Sequence, residues 1–188
     1  MSGKLVRAAL ALLVAGLVDP AHAAVMIEAS VPELAREAEL VARGTVESVE
    51  SRRSSDGRRI YTVAKLRVAD TWKGEAQETV EIRVPGGTVD GISQIVQGMA
   101  RFAPGEEVVV FLRRPGRGEA TRAGPMHVVA EAQGKLTVRR DDAGNEVAAP
   151  DLDGIEVLRA SGEPPIPAIE PVPVRVVDLK RQVKAAAE

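Results

Sequence analysis

The sequence predicts a mainly β protein, in which about five to seven strands close into a small barrel flanked by a short N-terminal helix and a tethered C-terminal helix. The first observation is the run from Val108 to Leu112, which is apolar, rich in β-branched residues and short, as expected of a strand buried on both faces. The second is that several other segments alternate apolar and polar residues and end at Gly or Pro turns. The third is an aromatic content of only 2%, so aliphatic side chains must fill the core.

The first residues of the chain have the pattern of a cleavable export signal. Lys4 and Arg7 precede an apolar stretch at 8–18, and Ala21-His22-Ala23 supplies the small residues of a cleavage site. Because the apolar stretch is too short to cross a bilayer, we expect residues 1–23 to be removed. The mature protein would then be exported to the periplasm or the medium without a stable membrane anchor. The alternative is an N-terminal helix that stays in the membrane.

The rest of the chain is expected to form three parts, namely a β domain at 24–160, a proline-rich linker at 161–173 and a C-terminal helix at 174–188. The sequence of 188 residues contains no cysteine, which excludes thiol chemistry and disulfides. Its net charge is −2, so we expect no basic surface of the kind that binds nucleic acid.

The N-terminal part of the domain predicts a helix and a hairpin. Ser30 and Glu33 form a capping box, and we expect a short helix at 31–39. The alternating segment at 40–50 follows as a strand, in which Gly44 indicates a bulge or a close backbone approach. A turn with the sequence Ser54-Ser55-Asp56-Gly57 leads into a second strand at 59–72. Its core-facing residues are expected to be Ile60, Thr62, Ala64, Leu66 and Val68.

The later segments are less regular. Residues 79–84 predict a strand that ends at Pro85-Gly86-Gly87. In residues 88–99, the apolar positions fit a helical stripe, but Gly91 and Gly98 enclose them, and we expect a bent strand or an irregular loop. The segments that follow are expected to be the central strand at 107–113, an exposed loop at 114–124, a strand at 126–132, its hairpin partner at 134–138 and a turn at 141–146.

The C-terminal part combines a proline spacer with a helix. Five prolines indicate an extended, semi-rigid segment, and they are Pro164, Pro165, Pro167, Pro171 and Pro173. Beyond them an apolar stripe recurs at helical spacing, formed by Val172, Val176, Leu179 and Val183. We therefore expect a helix at 174–186, which must dock against a partner surface to be stable.

Three segments taken in order carry a resemblance to a known family. They read LVARGTV at 40–46, YTVAKLRVADTWKG at 61–74 and FAPGEEVVVFL at 102–112. In this order they resemble the netrin-like OB-fold domain, as in the tissue inhibitors of metalloproteinases and their bacterial relatives. The resemblance covers residues 38–113, under half of the chain. It implies an OB-like Greek-key barrel and a protein partner, with an extracellular metalloprotease as a candidate.

The chain departs from this family at its N-terminus. Those inhibitors chelate the zinc of the protease with the amine and carbonyl of an N-terminal cysteine. Here cleavage would expose Ala24, and no cysteine exists to fix the strand by a disulfide. The resemblance therefore supports the fold more than the inhibitory mechanism.

No catalytic or metal-binding constellation is visible in the sequence. After cleavage His127 is the one histidine left, so neither a zinc site nor a Ser-His-Asp or Cys-His arrangement can be assembled. A Ser-Lys dyad stays open, but no motif supports it. Asp151-Leu152-Asp153-Gly154 resembles the start of a calcium loop, yet Ile155 interrupts the oxygen ligands and a solvated turn is the better interpretation. We predict no cofactor, no metal and no enzymatic activity.

The outer surface is therefore expected to carry the function. The predicted contact residues are Ala24, Val25 and Met26 at the N-terminal edge, Arg52, Arg53, Arg58 and Arg59 around one hairpin tip, and Gly86 and Gly87 in a neighbouring loop. The arginines are either a solvated tip or a docking patch for an acidic partner, and the glycines a turn or a flexible contact loop. We expect an exported, non-enzymatic module that binds a protein such as an extracellular metalloprotease. The alternative is a structural cell-envelope protein that presents its C-terminal helix to a partner.

Overall fold

The structure is a computed structural model that describes residues 24–116, 124–158 and 171–187. The predicted export signal and most of the predicted proline linker lie outside these residues. The described elements, in chain order, are β1 (Ala24–Ile27), α1 (Val31–Glu37), β2 (Leu40–Arg53), β3 (Ile60–Lys73), β4 (Thr79–Pro85), β5 (Gly87–Val89), β6 (Ile92–Gln94), β7 (Glu107–Arg113), β8 (His127–Val128), β9 (Lys135–Arg140), β10 (Glu146–Pro150), β11 (Ile155–Leu158), β12 (Val174–Arg175) and α2 (Val176–Ala187). The protein is thus mainly β with two helices, as the sequence predicts.

A large antiparallel sheet forms the body of the molecule. Its strand order is β12-β10-β9-β7-β2-β3-β4, and β8 pairs with β7 outside this order. Two smaller sheets accompany it, one formed by β5 and β6 and the other by the parallel pair of β1 and β11. The predicted hairpins at 54–57 and 141–146 join β2 to β3 and β9 to β10.

The prediction of a closed barrel is wrong, because the sheet stays open beyond β4. The sheet curls far enough for one residue, Met126, to form a bridge with Ile82 of β4. The amide of Arg83 donates to the carbonyl of Met126 at 2.8 Å, and the amide of Met126 donates to the carbonyl of Glu81 at 2.8 Å. The chain then pairs with β7 as β8. A barrel needs a continuous ladder at this seam, and a single bridging residue does not supply one.

The central strand is β7, and its prediction is confirmed. Residues 108–112 are all 0% exposed, because the strand is covered on both faces. Val109 and Phe111 pack on the side of the two helices, in a core that includes Leu34, Trp72 and Leu179. On the opposite side, Val108, Val110 and Leu112 join a second core inside the curl of the sheet.

Helix α1 begins as predicted and ends two residues early. The Glu33 carboxylate accepts hydrogen bonds from the amide and the hydroxyl of Ser30, at 2.8 and 2.6 Å, as in the predicted capping box. The prediction for Gly44 is also confirmed, because the pairing of β2 with β3 shifts register there. A Cβ atom at this position would overlap with the carbonyl of Arg67, so only glycine allows the two strands to approach.

The prediction of a strand at 126–132 is largely wrong. Strand β8 covers two residues, after which Ala130 and Glu131 take left-handed conformations with φ of 49° and 57°. A short 3₁₀ helix, Glu131–Gly134, follows and brings Gln133 into the interior. Strand β9 consequently pairs with β7 and β10, and not with the segment before it as predicted.

Helix α2 belongs to the core of the domain. It begins at Val176, since residues 174–175 form β12 against β10. Val172 of the predicted stripe precedes the helix and is 80% exposed, but the other three residues are buried, with Val176 6% exposed and Leu179 and Val183 0% exposed. These side chains share one cluster with Leu34 of α1 and Phe111 of β7. The two helices and the sheet therefore depend on each other for burial.

Candidate functional site

Two hairpins meet at one end of the molecule and form what we call the double-hairpin tip, residues 51–60 and 86–95. The first is the turn between β2 and β3, which carries the four arginines singled out in the sequence. The second is the hairpin of β5 and β6, for which the sequence left strand or loop open. Both predicted contact loops thus come together in space.

Side-chain hydrogen bonds to the backbone hold the two hairpins in fixed positions. The Thr62 hydroxyl donates to the carbonyl of Gly86 at 2.8 Å and lies 3.0 Å from the Ser51 hydroxyl. The amide of Ile60 donates to Oε1 of Gln94 at 2.8 Å. The tip is therefore preorganised before any partner binds, which lowers the entropic cost of association.

Gly86 and Gly87 make this packing possible. Gly86 is buried and Gly87 half-buried, with φ of +94° and +136°. A Cβ at Gly86 would lie 2.8 Å from the carbonyl of Gln94, and one at Gly87 would overlap with the Ser51 hydroxyl. These glycines therefore allow the second hairpin to pack closely against the first.

The arginines of the tip differ in their partners. Arg52 forms an ion pair with Glu50 at 2.7 Å, and this hydrogen bond raises the pKa of Arg52 above its ordinary value. Arg53 lies 3.8 Å from Asp90 of the second hairpin. Arg58 and Arg59 are exposed and form no ion pair within the part of the chain that the structure describes.

The turn itself is held by Asp56. Its carboxylate accepts a hydrogen bond from the Ser54 hydroxyl at 2.6 Å and one from the amide of Arg58 at 3.1 Å. The Ser54 bond is the main reason, and the Arg58 bond the second, why the pKa of Asp56 is lowered. The carboxylate therefore stays ionised and fixes the backbone that carries Arg58 and Arg59.

Exposed apolar residues accompany the arginines. Ile92 is 56% exposed and Ile95 is 75% exposed, and both belong to the second hairpin or the residues directly after it. Their spacing of three residues also fits a helical stripe, so the sequence did not indicate that both side chains would be exposed beside a β hairpin. Basic and apolar side chains on one rigid end form a surface of the kind that protein interfaces use.

The predicted N-terminal edge lies in a different setting. Ala24, Val25 and Met26 belong to β1, which pairs in parallel with β11. Met26 is 8% exposed and packs with Ala132 and Ile155, whereas Val25 is 57% exposed. The side chain of Gln133 fixes the end of this strand, with its amide nitrogen donating to the carbonyl of Ile27 at 2.9 Å. Strand β1 therefore contacts β11 and the segment that carries Ala132 and Gln133.

A buried polar cluster was not foreseen from the sequence. Lys135 is 3% exposed and forms an ion pair with Glu106, and its ammonium lies 2.9 Å from the Thr137 hydroxyl. The Glu106 carboxylate that pairs with this ammonium also accepts a hydrogen bond from the Thr137 hydroxyl at 2.7 Å, so the three groups satisfy one another. The arrangement therefore fits a structural ion pair better than a nucleophile with its base.

The largely apolar cavity beside α1 offers little specific chemistry. Its volume is about 330 Å³, and its wall includes Leu34, Leu136, Ala148, Leu152 and Val172. Gln133 lines it too, but its side-chain oxygen already accepts from the amide of Ala29 at 2.8 Å. The cavity opens into the helix-side core, and the side-chain oxygen of Gln133 is already engaged and not free to orient a ligand.

Metal binding finds no support in the described residues, among which no three His, Asp or Glu side chains gather closely enough to hold an ion. The predicted calcium-like sequence at 151–154 contains a turn at Asp153-Gly154.

None of the helices within the described ranges is long and apolar enough to cross a membrane. Comparison with models of known protein families and with curated proteins finds no match to this chain.

Proposed function

We propose that the protein is an exported, non-enzymatic module with an OB-like fold that binds another protein through its double-hairpin tip. The observation that carries the proposal is the fixed packing of the two hairpins against each other. It places Arg58 and Arg59, which form no ion pair among the described residues, on the same end as the exposed Ile92 and Ile95. Arginine and apolar anchors on a preorganised surface are typical of interface hot spots.

The shape and composition of the tip favour a protein over other ligands. Residues 55–59 at the outer end of the tip are exposed, whereas small molecules bind in concave sites. Nucleic-acid binding by stacking needs open aromatic rings, and the ring of Tyr61 is covered by the guanidinium of Arg83 at 4.0 Å. The OB-like part of the proposal is supported by the curl of β2, β3 and β4 around an apolar core, with β7 and β8 beside them.

The test is capture of partners from the organism's own exported proteins with a photo-cross-linker placed at Ser55, beside the arginines. We expect one cross-linked complex that is lost in the R58E/R59E and I92D/I95D variants. The matched control is R139E/K184E, which makes the same charge change as R58E/R59E at exposed residues of β9 and α2. Equal capture by all three variants would overturn the proposal.

An extracellular metalloprotease is the candidate partner that the family resemblance suggests. If the protein inhibits such an enzyme, the mature chain should lower its turnover at stoichiometric concentration. Acetylation of the Ala24 amine then separates two modes, because chelation of the zinc needs a free amine and docking through the tip does not. If every zinc protease tested keeps full activity while the tip still captures a partner, the protein is not a protease inhibitor but still binds a protein.

The cell-envelope alternative would have to use the outer side of α2. The stripe of Val176, Leu179 and Val183 is buried in the core, so a partner could contact only exposed residues such as Val177, which is 56% exposed. Substitution of Val177 by Asp should abolish binding in this alternative and leave it unchanged in the proposed function.

A further inference from the structure

The geometry of β2 points to the way in which the partner binds: we infer that an extended acidic segment of the partner adds as a strand to the open edge of β2 at 47–53. The inference rests on the proposed function, since this edge leads directly into the double-hairpin tip. Strand addition to an exposed sheet edge is a general mode of peptide recognition.

The edge is open because β7 leaves β2 halfway. Strand β7 pairs with β2 from Leu40 to Thr45. The last backbone hydrogen bonds to that side are at Val46, whose amide donates to the carbonyl of Glu106 at 2.9 Å and whose carbonyl accepts from the amide of Gly105 at 2.8 Å. Further along β2, the second hairpin makes a side-chain contact, in which the amide of Thr88 donates to the Ser51 hydroxyl at 3.3 Å. On its other side, β2 pairs with β3 as far as Arg53. Residues 47–53 therefore have a ladder on one side alone within the described part of the chain.

Other edges of the sheet are protected in ways that this edge is not. Strand β4 is covered at Ile82 by Met126 and ends at Pro85, which has no amide hydrogen to donate. Strand β12 has two residues and follows Pro173. Short strands, covering residues and prolines are the usual means of blocking an edge. The distal part of β2 is longer and contains no proline.

The positive charge around this edge indicates that the added strand is acidic. Residues 47–67 carry six basic and three acidic side chains, a net charge of +3, although the whole chain has a net charge of −2. The acids on the edge are already satisfied, since Glu47 pairs with Lys65 at 3.2 Å and Glu50 pairs with Arg52 at 2.7 Å. Arg58 and Arg59 form no ion pair among the described residues, so an incoming strand gains most from carboxylates at its end beside the tip.

The bulge and the charges on this edge are consistent with selective pairing. The register of β2 against β3 shifts between Val46 and Ser48, which separates the half paired with β7 from the open half. Charged side chains on an edge disfavour pairing with an unrelated apolar strand. They favour a strand of complementary charge, which is how an interface gains specificity.

The test uses the mature protein and three synthetic octapeptides with a fluorescent label. The first alternates Glu and Val, the second alternates Lys and Val, and the third is the acidic peptide with every second amide N-methylated so that one edge cannot donate hydrogen bonds. Anisotropy at low salt measures binding, and hydrogen exchange maps the protected amides.

We expect saturable binding of the acidic peptide, no binding of the basic peptide and at least about a tenfold loss on N-methylation, as backbone hydrogen bonds are removed. Amides within 47–53 should gain protection, and R58E/R59E should weaken binding while R139E/K184E does not. Equal binding of the methylated and unmethylated acidic peptides, or no binding at millimolar concentration, would overturn strand addition. If cross-linking at the tip still captures a partner, the proposed function stands without it.

Discussion

The ammonium group of Lys73 donates a hydrogen bond of 2.6 Å to the carbonyl of Ala38, directly after helix α1. It also donates to the carbonyl of Ala35 at 2.7 Å. A cation placed on the unpaired carbonyls at the end of a helix satisfies them and complements the helix dipole. The end of β3 therefore holds α1 in place against the sheet.

Loss of this contact should loosen α1. Substitution of Lys73 by Met keeps the aliphatic stem and removes the ammonium, which leaves the carbonyls of Ala35 and Ala38 without their donor. We expect a loss of about 1–3 kcal/mol in the free energy of unfolding, measured by urea denaturation. The control is Lys65→Met, which removes an exposed ion pair and should cost less than about 1 kcal/mol. Equal losses would contradict the role of Lys73.

This contact also explains why the motif Trp72-Lys73-Gly74 stands out in the sequence. The indole of Trp72 donates to Asp70 at 2.8 Å, and a side chain at Gly74 would overlap with the carbonyl of Glu39. Each residue of the motif therefore makes a structural contact near the end of β3, where β3 meets the end of α1. The motif is visible in the sequence, but the partners of Lys73 and Gly74 lie more than thirty residues away along the chain.

The elements that could be predicted are those whose pattern is local. The apolar run of β7, the alternation in β3 and the Asp56-Gly57 turn each carry their own signal. The open barrel seam at Met126 and the parallel pairing of β1 with β11 depend on contacts between distant segments, and no local pattern encodes them. The sequence also could not show which predicted contact segments lie together. The two loops meet at the tip, whereas the predicted N-terminal edge packs against other residues, because both arrangements depend on contacts between distant segments.

The buried ion pair of Lys135 and Glu106 should be costly to break on one side only. In Glu106→Gln the charge of Lys135 remains buried with the Thr137 hydroxyl as its neutral partner. We expect a loss of about 3–5 kcal/mol, because an uncompensated charge is left in the interior. Thermal and urea denaturation measure it.

The double substitution Glu106→Leu with Lys135→Met provides the matched control. Replacement of both partners by apolar residues of similar size is often neutral or stabilising. We expect the double variant to regain most of the stability that Glu106→Gln loses. A double variant as unstable as the single one would mean that the geometry of the ion pair, and not its charge balance, supports the fold.

Glu146 should make the stability of the fold depend on pH. Hydrogen bonds from Arg43, at 2.9 Å to each carboxylate oxygen, lower the pKa of Glu146 below its ordinary value. A carboxylate whose pKa is lowered by folding stabilises the protein above its unfolded pKa of about 4.3. This contribution is lost as the pH falls through the lower folded value.

We therefore expect the urea midpoint of the wild type to fall more steeply below about pH 4.3 than that of Glu146→Gln. At neutral pH the variant should be the less stable of the two, and the curves should converge at acid pH. The exposed Glu75 offers the control, because Glu75→Gln should follow the wild-type curve. Parallel curves for the wild type and Glu146→Gln would contradict the contribution of Arg43.

The packing of α2 decides between a helix of the core and a tethered helix. Leu179 is 0% exposed among Leu34, Trp72 and Phe111, so Leu179→Ala should cost about 2–5 kcal/mol by opening a cavity in the helix-side core. Val177 is 56% exposed on the same helix, and Val177→Ala should change stability by less than about 0.5 kcal/mol. Both values come from urea denaturation of the full mature chain.

A tethered helix that only recruits a partner would give the opposite result. Leu179→Ala would then leave the free energy of unfolding of the domain unchanged and abolish partner capture. We expect capture by the double-hairpin tip to persist in Leu179→Ala wherever the variant is folded, since no residue of the tip belongs to the helix-side core that contains Leu179.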